Sequence, residues 1–391
     1  MLSPFSIDQQ AGAVRCEPAL GAFPGITEMN NHLLTGFMAL ACLAAAAAEE
    51  KDIGEPAPIA ARHWDGLFEP NTTTLVGSYV TVIRQATNQF VAFNNSVDGS
   101  LAGGLNLWRG KDHRQFEPAG IVFQHDRIDD VFGPDGALFG KRRLTRPFID
   151  WHPDHGFVGV VHVCADYGPV DGRVYPALVT SSNGAAGSWQ YKGKLKGEVW
   201  ELFGDRSGNA RWADGGAFLF QPGKRDKLNR ARPLENRYVM YSNQYAGNGT
   251  VALLFSADGI SWFFYRQGGR PEGAIVNLLP EAFAGRSMIF PHIVPMGKHG
   301  WTMFLAENWP PTAIYRLWSP DGLSWQELGA QPEIVKPETL MIKNLNGWFD
   351  PDTATLHGYL SVWSKQPDGS LDYNKYHAAT RTLKPADVKE P

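Results

Sequence analysis

One short phrase recurs along the chain. It reads Ser256-Ala257-Asp258-Gly259-Ile260-Ser261-Trp262, and again Ser319-Pro320-Asp321-Gly322-Leu323-Ser324-Trp325. A looser copy is Ser182-Asn183-Gly184 followed by Ser188-Trp189. Each copy follows an apolar run, such as Val251-Ala252-Leu253-Leu254-Phe255. Asp-Gly supplies the tight turn of a hairpin, and Ser caps the turn through its hydroxyl. Trp opens the return strand and packs its ring on a neighbouring sheet. A self-similar hairpin at a long period marks a repeat architecture, and with strands this short it predicts a β-propeller. The 13 Trp, 22 Phe, 12 Tyr, 42 Gly and 27 Pro among 391 residues suit aromatic strands joined by turns.

Five strand-turn-strand units can be laid out: 72–123, 146–193, 213–265, 287–328 and 344–380. The fold expected is all-β, a five-bladed β-propeller forming one domain over 53–391. A second phrase accompanies the units. It includes Phe68-Glu69-Pro70, Arg146-Pro147-Phe148-Ile149-Asp150, Trp212-Ala213-Asp214-Gly215, Phe290-Pro291-His292 and Trp348-Phe349-Asp350. In each, a polar residue is read as preceding a short apolar strand. Innermost strands start at the mouth of a central channel, so these residues are expected to converge there.

Residues 33–48 form an apolar, Ala-rich run ahead of Glu49-Glu50-Lys51-Asp52. The run is too short and too rich in small residues for a membrane span. It reads as a secretory h-region with an Ala-x-Ala cleavage site near Ala48. On that reading 1–52 is a leader, Met29 is its natural start, and the mature protein is secreted or periplasmic. The alternative is a short buried helix. Cleavage would leave Cys164 as the one thiol, which excludes an intramolecular disulfide. A formal net charge of -4 argues against bulk nucleic-acid binding. No stable membrane insertion and no oligomer is expected.

The second phrase resembles the five-bladed propeller glycosidases, the superfamily of arabinanases, β-xylosidases and fructosidases. Those enzymes set acidic residues at the starts of the first three inner strands. The resemblance implies that Glu69 matches the first position, usually Asp, and Asp214 the third, usually Glu. The second position holds Arg146, with Asp150 four residues on. Cleavage of a glycosidic bond needs one protonated carboxyl and one ionised carboxyl flanking it. Glu69 and Asp214 are the expected pair, and Arg146 and Asp150 complete the catalytic set. Strand capping or pairing with arginine is the structural alternative for each.

Propeller connectivity places 125–146, 166–173, 201–212, 243–248 and 307–309 on one face. His125, Tyr167, Arg206, Arg211, Trp212, Glu307 and Trp309 are therefore expected to bind substrate. Planar aromatics stack on sugar rings while polar groups read hydroxyls. The arginines suit a carboxylate or sulfate, hence an acidic polysaccharide. His63 is expected to line the mouth. His292 either points into the channel or is a core histidine bonded to backbone. No spaced His/Cys cluster indicates a transition metal. No cofactor is required on this reading, although a structural Ca²⁺ in the channel would leave no compact motif. Three functions stay open: a glycoside hydrolase, a polysaccharide lyase acting on uronates, and a sugar-binding propeller without catalysis.

Overall fold

A computed structural model describes residues 57–70, 72–75, 78–95, 105–123, 142–165, 174–198, 216–220, 238–243, 249–329, 331–338, 340–365 and 371–382. For 78, 95, 123, 142–146, 163–165, 174–175, 216–220, 363–365 and 371–382 it describes the backbone alone. The leader expected over 1–52 lies outside the described residues.

The chain is all-β apart from short 3-10 turns, and its sheets are arranged as in a propeller. The first sheet runs β1 (Ser78–Ala86), β2 (Gln89–Asn95), β3 (Leu105–Gly110) and β4 (Phe116–Phe123) in sequence order. The second runs β5 (Arg142–His152), β6 (Gly156–Ala165), β7 (Val174–Ser181) and β8 (Trp189–Lys194). The third holds β10 (Gly216–Phe220), β11 (Tyr238–Asn243), β12 (Val251–Ser256) and β13 (Ser261–Phe264). Its outer edge receives the short β9 (Lys196–Gly197) in parallel. The fourth holds β14 (Met288–Pro295), β15 (Trp301–Glu307) and β16 (Ala313–Ser319), with β17 (Gln326–Glu327) and β18 (Ile334–Val335) both on β16. The fifth holds β19 (Leu340–Asp350), β20 (Thr355–Lys365) and β21 (Leu371–Thr382).

Side chains alternate between the two faces of a strand, and here both faces are apolar. Each sheet therefore buries two faces against two neighbours. Phe93 and Leu107 of the first sheet pack on Ile149 and Phe157 of the second. Phe148 and Leu178 of the second pack on Leu254 and Trp262 of the third. Tyr241 and Phe255 of the third pack on Met303 and Trp325 of the fourth. Val294 and Phe304 of the fourth pack on Leu345 and Leu360 of the fifth. Tyr359 of the fifth packs on Val82 and Trp108 of the first. The circuit of interfaces thus returns to its start.

The recurring phrase forms the hairpin between third and fourth strands. Gly259, Gly322 and Gly184 adopt φ of 77°, 76° and 73°, a region glycine enters without steric cost. Their N–H groups each donate to a serine hydroxyl at 2.8 Å, from Ser256, Ser319 and Ser181. The looser copy is thus capped by Ser181, not by the expected Ser182. Trp262, Trp325 and Trp189 donate Nε1–H to the same three glycine carbonyls at 2.9, 3.1 and 3.2 Å. Each ring then packs against the preceding sheet.

The second phrase is not one structural element. Asp150 and Asp350 lie at the ends of β5 and β19, beside the hairpins to the second strands. Asp-Pro and Pro-Asp pairs make turns, and here they turn the chain at the far end of the innermost strand.

Candidate active site

Four innermost strands carry the same irregularity near their start. Tyr79-Val80 of β1 oppose one residue of β2, between the pairs Ser78–Asn95 and Thr81–Phe93. Arg146-Pro147 bulge from β5 between Thr145–His162 and Phe148–Val160. Phe290-Pro291 bulge from β14 between Ile289–Ala306 and His292–Phe304. Lys343-Asn344 bulge from β19 between Ile342–Val362 and Leu345–Leu360. A bulge bends its strand and re-aims a side chain, and bulges gather at barrel rims and functional sites. Tyr79 and Phe290 take positive φ, 58° and 56°.

The re-aiming brings three of these residues together across sheets. Tyr79 and Phe290 meet edge to face with ring centroids 5.6 Å apart, although β19 stands between their strands. Lys343 of β19 sets its Nζ 4.6 Å from the Tyr79 ring centroid. Phe290 in turn meets Trp309 edge to face at 5.8 Å. Trp309 is 53 % exposed, on the loop from β15 to β16. Among the described residues this end of the inner strands therefore gathers two buried aromatic rings and a half-buried lysine, with the exposed indole of Trp309 beside Phe290.

Glu307 anchors that loop. Its Oε1 accepts from Arg286 Nε at 2.8 Å, and its Oε2 accepts from the Tyr315 hydroxyl at 3.3 Å. The Glu307 bond holds the Arg286 guanidinium above its usual pKa, against burial. Arg286 also lies over the Tyr315 and Phe283 rings, at 4.4 and 4.9 Å. Asn308 N–H donates to the Ser287 carbonyl at 2.7 Å, which fixes the indole beside β14. Glu307 therefore positions Trp309 through the loop.

Deeper in the channel, His292 spans β14 and β19. Its Nε2 bonds the Gly347 carbonyl at 3.1 Å, and its Nδ1 accepts from Asn346 Nδ2 at 3.0 Å. Burial pulls its pKa down to about 4, opposed by the bond to Gly347. The ring is a neutral strut between two strands, the second of the two readings given above. Asn346 is in turn bonded by Asn344, whose Oδ1 is buried without a hydrogen-bond partner.

Other expected residues fall elsewhere. His63 is not at the mouth: its Nδ1 meets Glu333 Oε2 at 2.6 Å, beside β18 at the outer side of the fourth sheet. This pair ties the segment 57–70 to that sheet, with Trp64 and Phe68 flush against β20. A Cβ at Gly358 would come within 2.6 Å of Trp64. Glu69 is exposed in this segment, and its carbonyl accepts from Thr72 Oγ1 at 2.8 Å. It precedes β1 by a stretch of loop rather than abutting it. Asp150 accepts the Trp151 N–H at 2.8 Å, four residues beyond Arg146 and so roughly 13 Å along the strand. It does not share the mouth with the bulges. Asp214, His125, Tyr167, Arg206, Arg211 and Trp212 lie outside the described residues. Arg146 is described by its backbone register alone.

No family model matches the chain, and no curated protein matches it. Solved structures do match. One is described as a glycoside hydrolase, 13% identical with a TM-score of 0.51, covering 85% of this chain and 95% of that one. Another is an exo-β-1,3-galactanase from Clostridium thermocellum, 12% identical with a TM-score of 0.52, covering 85% and 64%. A third is a GH43 β-1,3-galactosidase solved with galactodeoxynojirimycin, 12% identical with a TM-score of 0.52, covering 84% and 96%. The chain has the fold of these propeller hydrolases. At 12–13% identity the likeness is one of fold.

Among the described residues no group of three or more His, Cys, Asp or Glu is placed to hold a metal ion. The channel donors beside His292 are amides and imidazole, both ring nitrogens being engaged. Among the described residues no helix is long and apolar enough to cross a membrane.

Tyr79, Phe290 and Lys343 were not among the site residues expected from sequence. A signal was present for one of them. Pro147 and Pro291 interrupt runs that otherwise read as strands, and proline inside a strand marks a bulge or an edge.

Proposed function

We propose that the protein is a glycoside hydrolase on a single five-bladed propeller over 53–391, exported as a monomer after loss of a leader at 1–52. The observation that carries the reading is the mouth itself. Bulges on separate innermost strands bring Tyr79, Phe290 and Lys343 together beside the exposed Trp309. A planar indole over a polar and aromatic floor is what binding a sugar ring requires. The fold shared with a galactanase and a galactosidase supports hydrolysis as the chemistry. The closed circuit of five apolar interfaces supports the blade count.

Glu69 and Asp214 are the proposed carboxyl pair, one donating a proton to the leaving oxygen and one remaining ionised. Arg146 is proposed at the mouth by its register position. The test is a panel of neutral and acidic polysaccharides with product analysis. Glu69→Gln and Asp214→Asn should each lower turnover by a factor on the order of 10² or more, with unfolding unchanged. Wild-type turnover in both variants would overturn the pair.

A sugar-binding propeller without catalysis is the second reading, favoured by one observation. The four bulge positions hold Tyr79, Arg146, Phe290 and Lys343, and none is a carboxyl. Glycan binding without new reducing ends would select it. Absorbance from an unsaturated uronate would instead identify a lyase.

A further inference from the structure

We infer that Arg286 is a positioning residue for glycan binding: it fixes the orientation in which Trp309 meets a sugar ring, and it does so without touching the sugar. The inference rests on the glycan-binding reading of the mouth and names what makes its platform rigid.

Trp309 is 53 % exposed, so packing covers less than half of its surface. Its orientation therefore depends on the backbone of its loop, which leaves β15 at Glu307 and joins β16 at Ala313. The loop is closed at its base. Thr312 N–H donates to the Glu307 carbonyl at 2.9 Å, and Asn308 Nδ2 donates to Thr312 Oγ1 at 3.1 Å. Asn308 takes a φ of 67°, a left-handed conformation that asparagine accepts more readily than most residues. Closure alone does not stop the loop from rocking on the sheet as a unit. Arg286-Ser287 grips it at two points. The Ser287 carbonyl accepts from Asn308 N–H at 2.7 Å, and Arg286 Nε donates to Glu307 Oε1 at 2.8 Å. Arg286 is itself anchored. Its N–H donates to the Phe283 carbonyl at 3.1 Å. Its guanidinium lies over Phe283 and Tyr315, two buried rings that meet edge to face at 5.4 Å. The arginine thus joins a packed part of the core to the two residues that precede Trp309. The second Glu307 oxygen accepts from the Tyr315 hydroxyl, so each oxygen of the carboxylate is already engaged within the protein. Hydrogen bonds between ionised groups are the stronger kind. A platform held in its binding orientation avoids an ordering cost that association otherwise carries.

The test separates positioning from contact. Full-length protein is titrated with oligosaccharides of galactan, arabinan, xylan and polygalacturonate, and the tightest binder is used throughout. Arg286→Gln and Glu307→Gln should each weaken binding by roughly three- to tenfold, the ordering cost of a released side chain. The double variant should bind no more weakly than either single one, because both break one lock. In a Trp309→Ala background, Arg286→Gln should change the affinity by less than about twofold. An undiminished loss in that background would show that Arg286 touches the glycan and would overturn the inference. A second readout needs no ligand. With 5-fluorotryptophan in place of tryptophan, the fluorine resonance lost in Trp309→Phe identifies Trp309, and both lock variants should shift or broaden it. An unchanged resonance, or wild-type affinity, in both lock variants would overturn the inference and leave the glycan reading standing. Thermal unfolding identifies a variant that fails to fold, and the other then tests the lock from its opposite side. Failure of wild type to bind any of these glycans would overturn the glycan reading and with it the role of Arg286.

Discussion

Arg84 and Asp350 meet at 2.9 Å across the seam where the last sheet adjoins the first. Arg84 sits near the end of β1 and Asp350 closes β19, and a second nitrogen of the same guanidinium reaches Asp352 at 2.7 Å. At the other end of these strands Lys343 lies over Tyr79. The seam is held at both ends by side chains from segments far apart in the chain. Breaking the lower contact should therefore loosen ring closure. Arg84→Ala is expected to cost about 1 kcal/mol, since the pair keeps some exposure to water. A double-mutant cycle with Asp350→Asn in urea unfolding should give a coupling of about 0.5–1 kcal/mol. Zero coupling would show that the apolar faces alone close the ring.

Trp262 is fully buried between the second and third sheets and also bonds the Gly259 carbonyl. Trp262→Ala should cost about 3–5 kcal/mol, by loss of apolar burial and a cavity that the flanking sheets cannot fill. Trp309→Ala removes an indole that is 53 % exposed, so its stability effect should stay within about 0.5 kcal/mol. The two substitutions are the same in chemistry and differ in burial. Chemical denaturation of both variants compares them directly.

Trp309→Ala should nonetheless weaken glycan binding by about tenfold or more, because an exposed aromatic platform acts in recognition rather than folding. Isothermal titration with the best glycan of the panel checks this. Binding at wild-type affinity would move the sugar site away from the β15–β16 loop.

His292 gives the protein a predictable response to acid. Its pKa falls from 6.5 unfolded to about 4 folded because burial disfavours the charged ring. The unfolded chain then binds the proton first. Its contribution is whole above about pH 6.5 and is lost as pH falls toward 4. His357 acts in the same direction, lowered to about 3 by burial and by the charges of His113 and Arg114. Thermal unfolding followed from pH 7.5 to 4 should show a falling midpoint. His292→Gln should flatten part of that slope. A slope unchanged in the variant would show that the ring titrates normally.

The hairpin phrase was legible because its determinants are local. Asp258 and Asp321 bond backbone N–H groups two and three residues on, so the turn is specified by seven consecutive residues. The same locality exposed the all-β layout of repeated strand-turn-strand units. Ser181 was misassigned to Ser182 because the third copy lacks the Asp-Gly pair that fixes the spacing. The role of His63 was not legible, since its partner Glu333 is 270 positions away.

The chain's own order of residues determined short aromatic strands, their turns and the two apolar faces that force sheets to stack around an axis. The mouth was decided only when the ring closed. A bulge exists between two strands and not within one, so no single run announces that Tyr79, Phe290 or Lys343 will leave its strand's alternation. Their meeting depends on three innermost strands starting at the same end of one channel. Asp150 was assigned to the wrong end for the same reason: a carboxylate beside a short apolar strand looks alike at its start and at its finish. Strand direction around a shared axis, a property of the assembled sheets, distinguishes them.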